Sequence, residues 1–456
     1  MRKSLLAAAL ALAFPLAHAQ SASTGSIELY GVVDVGLERS DVGTESATRL
    51  QSGLSAGSRW GIRGRENLGG GYTAIFTLES RIELDNGSTS NNGAVYYCRP
   101  AGSTATPSCP GVGSIGLTGA TAAAVSGALN AISNDLLTQF ANVNSVGALF
   151  DRQAFVGLIT PFGAVLAGRQ YTPGYEIVNK FNSFADATAG QFGQEFSTLT
   201  IRANNALQYR AEMSGFTLSL MYGFGGTEIN RSERASDPQT GDDFYGANFQ
   251  YATNTFSVGV GYNHNYVLTR RDPTKADTGM ETLNVGGTLT LGSAKLFAQY
   301  MTRKNDNPLV TPLDLQQIVI AGGTPAGINT LLQPLIARAN RIDLDGMRGF
   351  VGPTDTTIYH LGLDWRLGNG NLRFAYNNAK DTARSEWATE DAKVNHFALG
   401  YFYDMSRRTT LYGVYGLAQN SGQSRMALGA AGYAGGWTTG FGEDATAIQL
   451  GMRHSF

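Results

Sequence analysis

The chain has 456 residues, a net charge of about −2 and two cysteines. A near-neutral charge does not favour nucleic acid as a partner. Beyond the amino-terminal segment, no stretch reaches the roughly 18 to 20 continuous apolar residues of a membrane-spanning helix. Glycine is frequent, at 58 residues, and aromatic residues make up 10 % of the chain. This combination is typical of strands that cross lipid between two aromatic girdles.

The first residues have the pattern of a secretory signal peptide. Two basic residues precede an apolar run over 5–16, and an A-x-A cleavage motif follows at 17–19. This pattern predicts that residues 1–19 are removed and that residues 20–456 form the mature domain. The apolar run is too short to cross a bilayer as a helix, which argues against an amino-terminal anchor.

Alternation of apolar and polar residues begins directly after this segment and recurs along the chain. In the first run Ile27, Leu29 and Val33 share one face, and Glu28 and Asp34 share the other. In an aqueous sandwich such an apolar face packs on a second sheet. In an outer-membrane barrel it faces lipid, while the polar face meets water in the lumen. A single strand does not separate these two cases.

The connections between the runs do separate them. Seven are tight turns, at 69–70, 161–163, 214–215, 253–255, 292–293, 368–370 and 406–408. Eight are longer and alternate strictly with the tight ones, around 40–56, 85–149, 172–201, 227–241, 269–279, 305–354, 381–391 and 420–443. Fifteen connections join sixteen strands, and an even strand count with short turns at one rim is the plan of an outer-membrane barrel. We predict one all-β domain, a 16-stranded antiparallel transmembrane β-barrel with short periplasmic turns and long extracellular loops.

The second and sixth long connections carry features of their own. Cys98 and Cys109 lie close together in a Gly/Pro/Ser-rich stretch, and in an exported chain we predict a local disulfide between them. A metal pair is disfavoured because no histidine lies nearby. Residues 118–140 and 325–341 each predict a short helix, which we expect to cap the mouth of the barrel in preference to binding a partner.

The third long connection is rich in aromatic residues. It holds Tyr175, Phe181, Phe184, Phe192 and Phe196. A solvated surface loop has little use for five aromatic side chains, so we predict that this loop folds inward, packs inside the barrel and narrows the pore. The charged residues that it would bring to the constriction are Glu176, Lys180, Asp186 and Glu195.

A basic strip is predicted on the barrel wall opposite this loop. Trp60 and Ile62 belong to a lipid-facing row, which turns the arginines beside them toward the lumen. Val165 and Ala167 share a face with Arg169, and we expect this face to be interior because it carries a charge. The predicted strip comprises Arg59, Arg63, Arg65, Arg81 and Arg169.

Opposite charges across a water-filled gap create a transverse field, which admits small polar solutes and penalises apolar ones. The alternative for each arginine is a structural ion pair inside the lumen with Glu66, Glu79 or Glu83. The basic strip argues for anion preference, whereas the acidic loop and the net charge argue for cations. We expect a slight preference for anions at the constriction.

Five motifs in chain order resemble the Gram-negative general porins of the betaproteobacterial and neisserial trimeric type. They are SIELYGVVD at 26–34, SRWGIRG at 58–64, RQAFVGL at 152–158, LAGRQY at 166–171 and GMRHSF at 451–456. The resemblance implies a sixteen-stranded homotrimeric barrel whose third loop forms the constriction. It also implies that the terminal Phe456 belongs to the signal read by the barrel-assembly machinery. The second and sixth loops are long for this family.

The predicted function is a passive, water-filled pore for small hydrophilic solutes and ions, placed in the outer membrane among its lipid and lipopolysaccharide. The alternative is a substrate-specific channel with a solute-binding constriction. An outer-membrane enzyme is disfavoured, because the five histidines are scattered and form no recognisable Ser/His/Asp pattern. No cofactor or metal site follows from the sequence.

Overall fold

The computed structural model describes residues 25–44, 46–89, 148–184, 188–191, 201–224, 244–266, 279–305, 354–382, 391–422, 424, 426–429, 438 and 442–456. Several predictions from the sequence lie outside these residues and stay predictions. They concern the signal peptide, the Cys98–Cys109 disulfide, the helices over 118–140 and 325–341, and the loop carboxylates Asp186 and Glu195.

Strands make up most of the described chain. They are β1 (Ser26–Val42), β2 (Ser46–Ser52), β3 (Arg59–Gly69), β4 (Tyr72–Arg81), β5 (Gln153–Thr160), β6 (Gly163–Tyr171), β7 (Arg202–Met213), β8 (Phe216–Gly223), β9 (Phe244–Ala252), β10 (Phe256–Tyr266), β11 (Gly279–Leu291), β12 (Ala294–Asn305), β13 (Thr354–Leu367), β14 (Gly370–Asp381), β15 (Ala392–Asp404), β16 (Thr409–Gly422) and β17 (Ala445–Ser455). Helix α1 (Pro173–Lys180) lies between β6 and β7. Within the described residues, no helix has the length and apolar character needed to cross a membrane.

The strands form one antiparallel sheet that closes on itself, because β1 pairs with β17. The second half of β1 pairs with β2, and its first half pairs with β3. β2 and β3 are therefore the two halves of one barrel strand, and the seventeen segments make sixteen strands around the barrel. The predicted 16-stranded antiparallel barrel is confirmed.

Residues 53–58 interrupt this second barrel strand and are held by a buried carboxylate. Asp34 on β1 accepts hydrogen bonds from the backbone N–H groups of Ser55 at 3.3 Å and Ala56 at 3.1 Å. The Tyr412 hydroxyl on β16 donates a third, at 2.6 Å. Extra residues in one strand normally leave backbone donors without a ladder partner, and here the carboxylate supplies the missing acceptor.

The first connection is much shorter than predicted. β1 runs to Val42 and β2 starts at Ser46, so the predicted loop over 40–56 is wrong. Residues 40–42 and 46–52 of this stretch belong to strands, and Arg39 Nη2 of β1 donates a hydrogen bond to Ser46 Oγ of β2 at 3.1 Å. The seven tight turns and the other seven long connections lie within a few residues of their predicted positions, and the third long connection spans 172–201 as predicted.

The two faces of the wall differ as the alternation predicts. Large apolar side chains point outward with much of their surface exposed, as for Leu29 on β1, Val156 on β5 and Leu399 on β15. Inward positions on the same barrel carry buried polar groups such as Glu38 and His396. An exposed apolar outside around a polar inside is the arrangement that lipid demands of a membrane barrel.

Helix α1 starts at a well-formed amino-terminal cap. The side-chain oxygen of Thr172 accepts a hydrogen bond from the backbone N–H of Tyr175, and Pro173 occupies the first turn, where it sacrifices no hydrogen bond. Glu176 in the first turn and Lys180 in the last turn complement the helix dipole. The short helix therefore has local reasons to form at this point in the chain.

Glycines on β10 and β11 let α1 lie flat on the inner wall. A Cβ added at Gly261 would come within 2.7 Å of the Ile177 side chain, and one at Gly286 within 2.7 Å of Phe181. Carbon atoms in contact need about 3.5–4.0 Å, so neither position accommodates a side chain beneath the helix. Ile177 and Phe181 are fully buried as a result.

Candidate constriction site

Loop 3, which we define as residues 172–201, follows one half of the inner wall. Helix α1 packs on the inner side of β9, β10 and β11. Beyond it the Phe184 ring packs edge-to-face on Phe402 of β15, with centroids 6.2 Å apart, and the Ala189 N–H donates to Gln449 Oε1 of β17 at 2.8 Å. The described part of loop 3 is thus folded inward as predicted. The wall opposite these contacts includes residues of β3, β6 and β7.

A gap separates loop 3 from this opposite wall. Its volume is about 260 Å³. Loop 3 contributes Tyr175, Glu176, Asn179 and Gln191 to the lining, and the wall contributes Gly57, Arg59, Arg152, Tyr171, Ile201 and Arg202. We call Arg59, Arg152 and Arg202 the arginine wall. Small size, polar lining and a position beside the inward loop make this gap the candidate constriction.

One carboxylate faces the arginine wall from β4. Glu79 Oε1 accepts a hydrogen bond from Arg152 Nε at 2.7 Å, and Glu79 Oε2 lies 3.5 Å from Arg59 Nε. The Tyr30 hydroxyl also donates to Glu79, at 3.1 Å. Arg59 and Arg152 contact this carboxylate and Arg202 lines the gap beside them, so three guanidinium groups stand against one carboxylate and this wall of the gap has a net positive charge.

A tyrosine pair connects the arginine wall to loop 3. The Tyr171 hydroxyl accepts hydrogen bonds from Arg152 Nη2 at 2.9 Å and from Arg202 Nη2 at 3.0 Å. The Arg202 guanidinium also lies over the Tyr171 ring, 4.6 Å from its centroid. The Tyr171 and Tyr175 rings stack at 5.2 Å. These contacts fix the positions of the guanidinium groups before any solute arrives.

The described charges of loop 3 have partners on the wall beside it. Glu176 accepts hydrogen bonds from Arg210 Nη1 at 3.2 Å and from Asn248 Nδ2 at 2.8 Å. Burial raises the pKa of Glu176 above its ordinary value, although Arg210 opposes the shift. Lys180 Nζ donates to Gln250 Oε1 at 2.6 Å, and burial lowers the pKa of this lysine, aided by Lys295 and Arg210. Glu176 lines the gap as a partly neutralised carboxylate.

The predicted basic strip divides into three groups. Arg59 lines the gap. Arg63 and Arg65 share its inward face but do not reach the gap lining, and Arg63 makes a bidentate pair with Glu28 at 2.8 and 2.9 Å. The other two arginines are buried within the wall. Arg81 lies between Glu83 and Asp151, and Arg169 donates to the Asp151 backbone oxygen and to Asn204 Oδ1.

The interior face predicted for Val165 and Ala167 is wrong. Both pair with the row of Val156 on β5, which continues the outward row of β4, and Val165 has 38 % of its surface exposed. A bulge explains how Arg169 is nevertheless buried. Gly168 has a φ of +131°, and the register with β7 shifts between Gly168 and Gln170. The bulge breaks the alternation of inward and outward residues, so the face of Arg169 cannot be inferred from the faces of Val165 and Ala167.

Sequence reasoning missed Arg152 and Arg202 as members of the arginine wall. Arg152 directly precedes β5, and Arg202 is the first residue of β7. Neither belongs to a regular alternating run, so the face of its side chain cannot be read from parity. Their position next to long loops was a usable signal, because strand ends that border such loops lie near one another at the mouth of the barrel.

Taken together, a closed transmembrane barrel with an inward loop and a charged lumen is a channel of the outer membrane. A family model described as Gram-negative porin matches residues 6–423, and the chain belongs to this family. It is 25 % identical to an outer membrane porin protein of Bordetella pertussis and 26 % identical to outer membrane porin protein 32 of Delftia acidovorans, with full coverage of both chains in each case.

Solved structures show the same fold. An anion-selective porin from Comamonas acidovorans has a TM-score of 0.63 at 22 % identity, covering 95 % of this chain and 100 % of that one. OmpT of Vibrio cholerae in its trimer form has a TM-score of 0.52 at 13 % identity, covering 95 % and 99 %. This chain is therefore an outer-membrane porin that provides a channel for passive diffusion of small hydrophilic solutes and ions. Its relatives are channels rather than enzymes.

Proposed function

We propose that the gap between loop 3 and the arginine wall is the constriction of this porin and that it favours anions. The observation that carries the proposal is that Arg59, Arg152 and Arg202 line the gap together while Arg59 and Arg152 share one carboxylate, Glu79. Glu176 on the opposite side is held by Arg210 and is less able to offset this charge. The anion-selective porin from Comamonas acidovorans, which has the same fold, supports the same direction.

The mechanism is electrostatic and needs no binding step. Fixed charges that surround a narrow aqueous gap set ion preference by Coulomb interaction at close range. Guanidinium groups remain charged at any physiological pH, so the positive side of the field does not titrate. Their hydrogen bonds to Tyr171 and Glu79 hold them in place, and an anion therefore meets a preformed potential.

A substrate-specific channel is the second candidate. The stacked Tyr171 and Tyr175 rings line the gap beside three guanidinium groups, which is the combination that would hold a planar anionic solute. Such a channel would carry small currents that saturate with one solute. A diffusion pore instead carries currents that rise in proportion to salt.

The assembly and maturation of the protein belong to the same proposal. Removal of residues 1–19, a homotrimer, contacts with lipopolysaccharide, and recognition of Phe456 by the barrel-assembly machinery follow from the sequence pattern and the porin resemblance. The trimer form of OmpT, a structure of the same fold, supports the homotrimer.

The test is single-channel recording in a planar bilayer, with the reversal potential measured under a salt gradient. We expect steps that scale with salt and a potential of the sign set by anions. A potential of the opposite sign would refute the anion preference. Small currents that one organic anion saturates and blocks would instead establish the specific channel.

A further inference from the structure

Part of the last long connection lies inside the barrel. We call the chain between β16 and β17 loop 8, and the structure describes its residues 424, 426–429, 438 and 442–444. Ala427 and Leu428 are at most 1 % exposed. Leu428 belongs to the buried cluster that also holds Phe184 of loop 3. An apolar segment of this connection is therefore buried in the lumen and does not face water.

The segment 427–429, which we call the tip of loop 8, lies on the inner face of β1. Ala427 forms a buried pair with Val42. A Cβ added at Gly429 would overlap the Glu38 carboxylate, so the backbone of the loop lies directly on this side chain. Both wall residues belong to the inward row of β1 that also contains Asp34. The contacts therefore place the tip of loop 8 within the barrel.

Loop 8 and loop 3 meet on one glycine of the wall. A Cβ added at Gly416 of β16 would come within 2.7 Å of the Ala189 backbone oxygen and within 3.1 Å of Leu428 Cδ1. The Ala189 N–H donates to Gln449 Oε1 at 2.8 Å, and Gln449 Nε2 donates to Glu38 Oε2 at 2.7 Å. Glu38 is the side chain on which the tip of loop 8 lies. Loop 3 at Ala189 and the tip of loop 8 therefore share one apolar patch and one hydrogen-bonded path.

One amide side chain holds both ends of loop 8. Asn420 lies on the inward row of β16 and is 7 % exposed. Its Oδ1 accepts hydrogen bonds from the Met426 N–H at 3.0 Å and from Ser424 Oγ at 2.6 Å. Its Nδ2 donates to the backbone oxygens of Met426 at 2.8 Å and Glu443 at 2.7 Å. The Asn420 N–H donates to Asp444 Oδ1 at 3.1 Å. Residues from both ends of the connection are thus tied to one position of the wall.

This set of partners matches the chemistry of a primary amide. An asparagine side chain carries two N–H donors and an oxygen that accepts two hydrogen bonds, and Asn420 uses all four in loop 8. Turning the amide over would place its oxygen against two carbonyl oxygens. An aliphatic side chain would remove the bonds to both backbone groups of Met426. Buried backbone groups without partners are unfavourable, so the conformation of loop 8 depends on this residue.

We propose that Asn420 is a positioning residue of the channel, which holds the tip of loop 8 in the lumen and so sets the size limit for solutes together with loop 3. The tip occupies space over β16 and β1 that would otherwise belong to the aqueous path. Loss of the Asn420 bonds releases the ends of loop 8, and its tip then has no fixed place over Gly416. Larger solutes pass as a result. This inference concerns solute size and goes beyond the proposed ion preference.

The test is the rate at which liposomes containing the protein swell in arabinose and in the larger sugar raffinose. Neutral sugars report the width of the path independently of its charge. We expect Asn420→Ala to raise the ratio of raffinose to arabinose uptake above the wild-type value. Ser421→Ala is the matched control, because this exposed residue follows on the outward row of β16 and its hydroxyl donates to the Lys393 backbone oxygen at 3.5 Å. Its ratio should equal that of wild type.

A pair of glycines tests the tip of loop 8 without changing Asn420. Gly429 and Gly442 have φ values of +71° and +72°, so alanine meets a similar backbone strain at either position. The Cβ of Gly429→Ala would overlap Glu38, whereas that of Gly442→Ala would meet its nearest atom, the Gly422 backbone oxygen, at an ordinary 3.7 Å. We expect Gly429→Ala to displace the tip and raise the uptake ratio. Gly442→Ala should leave the ratio unchanged.

Hydrogen–deuterium exchange separates positioning of the loop from a general loss of stability. We expect the Met426 amide to be protected in wild-type protein and to lose this protection in Asn420→Ala. Amides of β16 and β17 should stay protected in both proteins. Equal loss of protection in the strands and the loop would reduce Asn420 to a structural role. An unprotected Met426 amide in wild-type protein would overturn the proposal even if no variant folded.

The uptake ratios decide the rest. An unchanged ratio in Asn420→Ala or in Gly429→Ala would overturn the proposal, and so would an equal rise in the matched control of either variant. Failure of the proposed anion preference would show separately, in the sign of the reversal potential of wild-type protein.

Discussion

Arg59 is the member of the arginine wall whose charge can be removed with least disturbance. Its side chain keeps 23 % of its surface exposed, and Arg152 continues to pair with Glu79 in its absence. Two unit charges 4 Å apart in water interact by about 1 kcal/mol, which corresponds to a factor of about five. We expect Arg59→Gln to lower the anion-to-cation permeability ratio by up to about fivefold. The reversal potential measures this ratio.

Arg63→Gln is the matched control for this prediction. Arg63 lies on the same inward face, but its charge is already balanced by a bidentate pair with Glu28 and it does not line the gap. Its replacement should change the permeability ratio much less. Equal shifts for both variants would mean that selectivity is set by the total lumen charge and not by the constriction.

Glu176 gives the constriction a pH dependence. Burial raises its pKa, so on acidification this carboxyl gains a proton at a higher pH than an ordinary glutamate. The charge that opposes the arginine wall is then lost, and anion preference should increase as pH falls. Because the folded state holds this proton more tightly, its contribution to the free energy of unfolding also increases as pH falls through the raised pKa.

Two measurements check this dependence. The reversal potential of wild-type protein should move further toward anions in acid. Glu176→Gln should show the acid value already at neutral pH and no further change. A wild-type dependence that persists in Glu176→Gln would assign it to another group.

At this scale the sequence predicts which face carries charge better than it predicts which charges meet water. Alternation correctly turned Arg59 inward, because β3 is regular there. It could not show that Arg81 forms buried ion pairs with Glu83 and Asp151, since Asp151 lies 70 residues away in the chain. It failed at Arg169, because the bulge at Gly168 breaks the parity on which the argument depended.

Among the elements, the position of α1 against the barrel wall depends on glycines, which place no side chain between the helix and strands β10 and β11. Gly261→Ala places a Cβ within 2.7 Å of Ile177, so the helix must move by about 1 Å toward the gap. Overpacking of this kind costs about 1–3 kcal/mol. We expect lower open-channel conductance and a lower urea midpoint of unfolding.

Gly413→Ala on β16 controls for a glycine replacement in a strand. The added Cβ would meet the end of the flexible Leu450 side chain at 3.1 Å and the Gln449 backbone oxygen at an ordinary contact distance of 3.9 Å, and neither belongs to loop 3. Conductance should stay at the wild-type value. If Gly261→Ala also left conductance unchanged, α1 would not border the path that ions take.

The interrupted strand depends on Asp34 in a comparable way. Asp34→Ala leaves two backbone N–H groups and the Tyr412 hydroxyl without their acceptor. Each buried group left unsatisfied costs about 1–3 kcal/mol, and we expect a loss of about 3 kcal/mol, measured by urea unfolding. Asp34→Asn keeps an acceptor and should lose less. The same segment positions Arg59, because the Gly57 carbonyl accepts a hydrogen bond from Arg59 Nη1 at 2.9 Å. Asp34→Ala loosens this segment, so it should also weaken anion preference.

The break at 53–58 also explains why the first connection was mispredicted. Small and polar residues such as Gly53, Ser55 and Gly57 indicate a loop to any rule based on composition. They instead form a local break inside a strand whose two halves, β2 and β3, both pair with β1. Only the carboxylate of Asp34, contributed by the neighbouring strand, makes that break compatible with a continuous wall.

In the whole molecule, the described part of loop 3 packs on one side of the barrel interior, and a gap separates it from residues of β3, β6 and β7 on the other side. The inner wall under loop 3 carries apolar side chains such as Met301 and Ile358, which join Phe184 in one buried cluster. The opposite wall carries the arginines. Part of this asymmetry was predictable, because five aromatic residues in loop 3 require an apolar surface to pack on. The alternation within the strands did not show which strands would provide that surface.

Closure of the barrel brings the last residue of the chain against the first strand. The Phe456 N–H donates to the Gly31 carbonyl, and the Gly31 N–H donates to the Phe456 carbonyl, each at 3.1 Å. A Cβ at Gly31 would overlap the Phe456 ring. We expect Gly31→Val to reduce the fraction of folded barrel after refolding in detergent. Gel electrophoresis of unheated and heated samples measures this fraction, because a folded barrel changes its mobility on heating.

A substitution at Phe456 separates its role in closing the barrel from its proposed recognition by the barrel-assembly machinery. Phe456→Leu shortens the terminal side chain, so Gly31→Ala combined with Phe456→Leu should refold in detergent better than Gly31→Ala alone, because the overlap with the ring is relieved while the approach to the Arg59 backbone oxygen, at 2.8 Å, remains. In cells the double variant should still assemble poorly if the terminal aromatic ring is read by the assembly machinery. Equal recovery in detergent and in cells would restrict Phe456 to its packing role. No recovery in detergent would assign the defect of Gly31→Ala to its approach to the Arg59 backbone oxygen and not to the Phe456 ring.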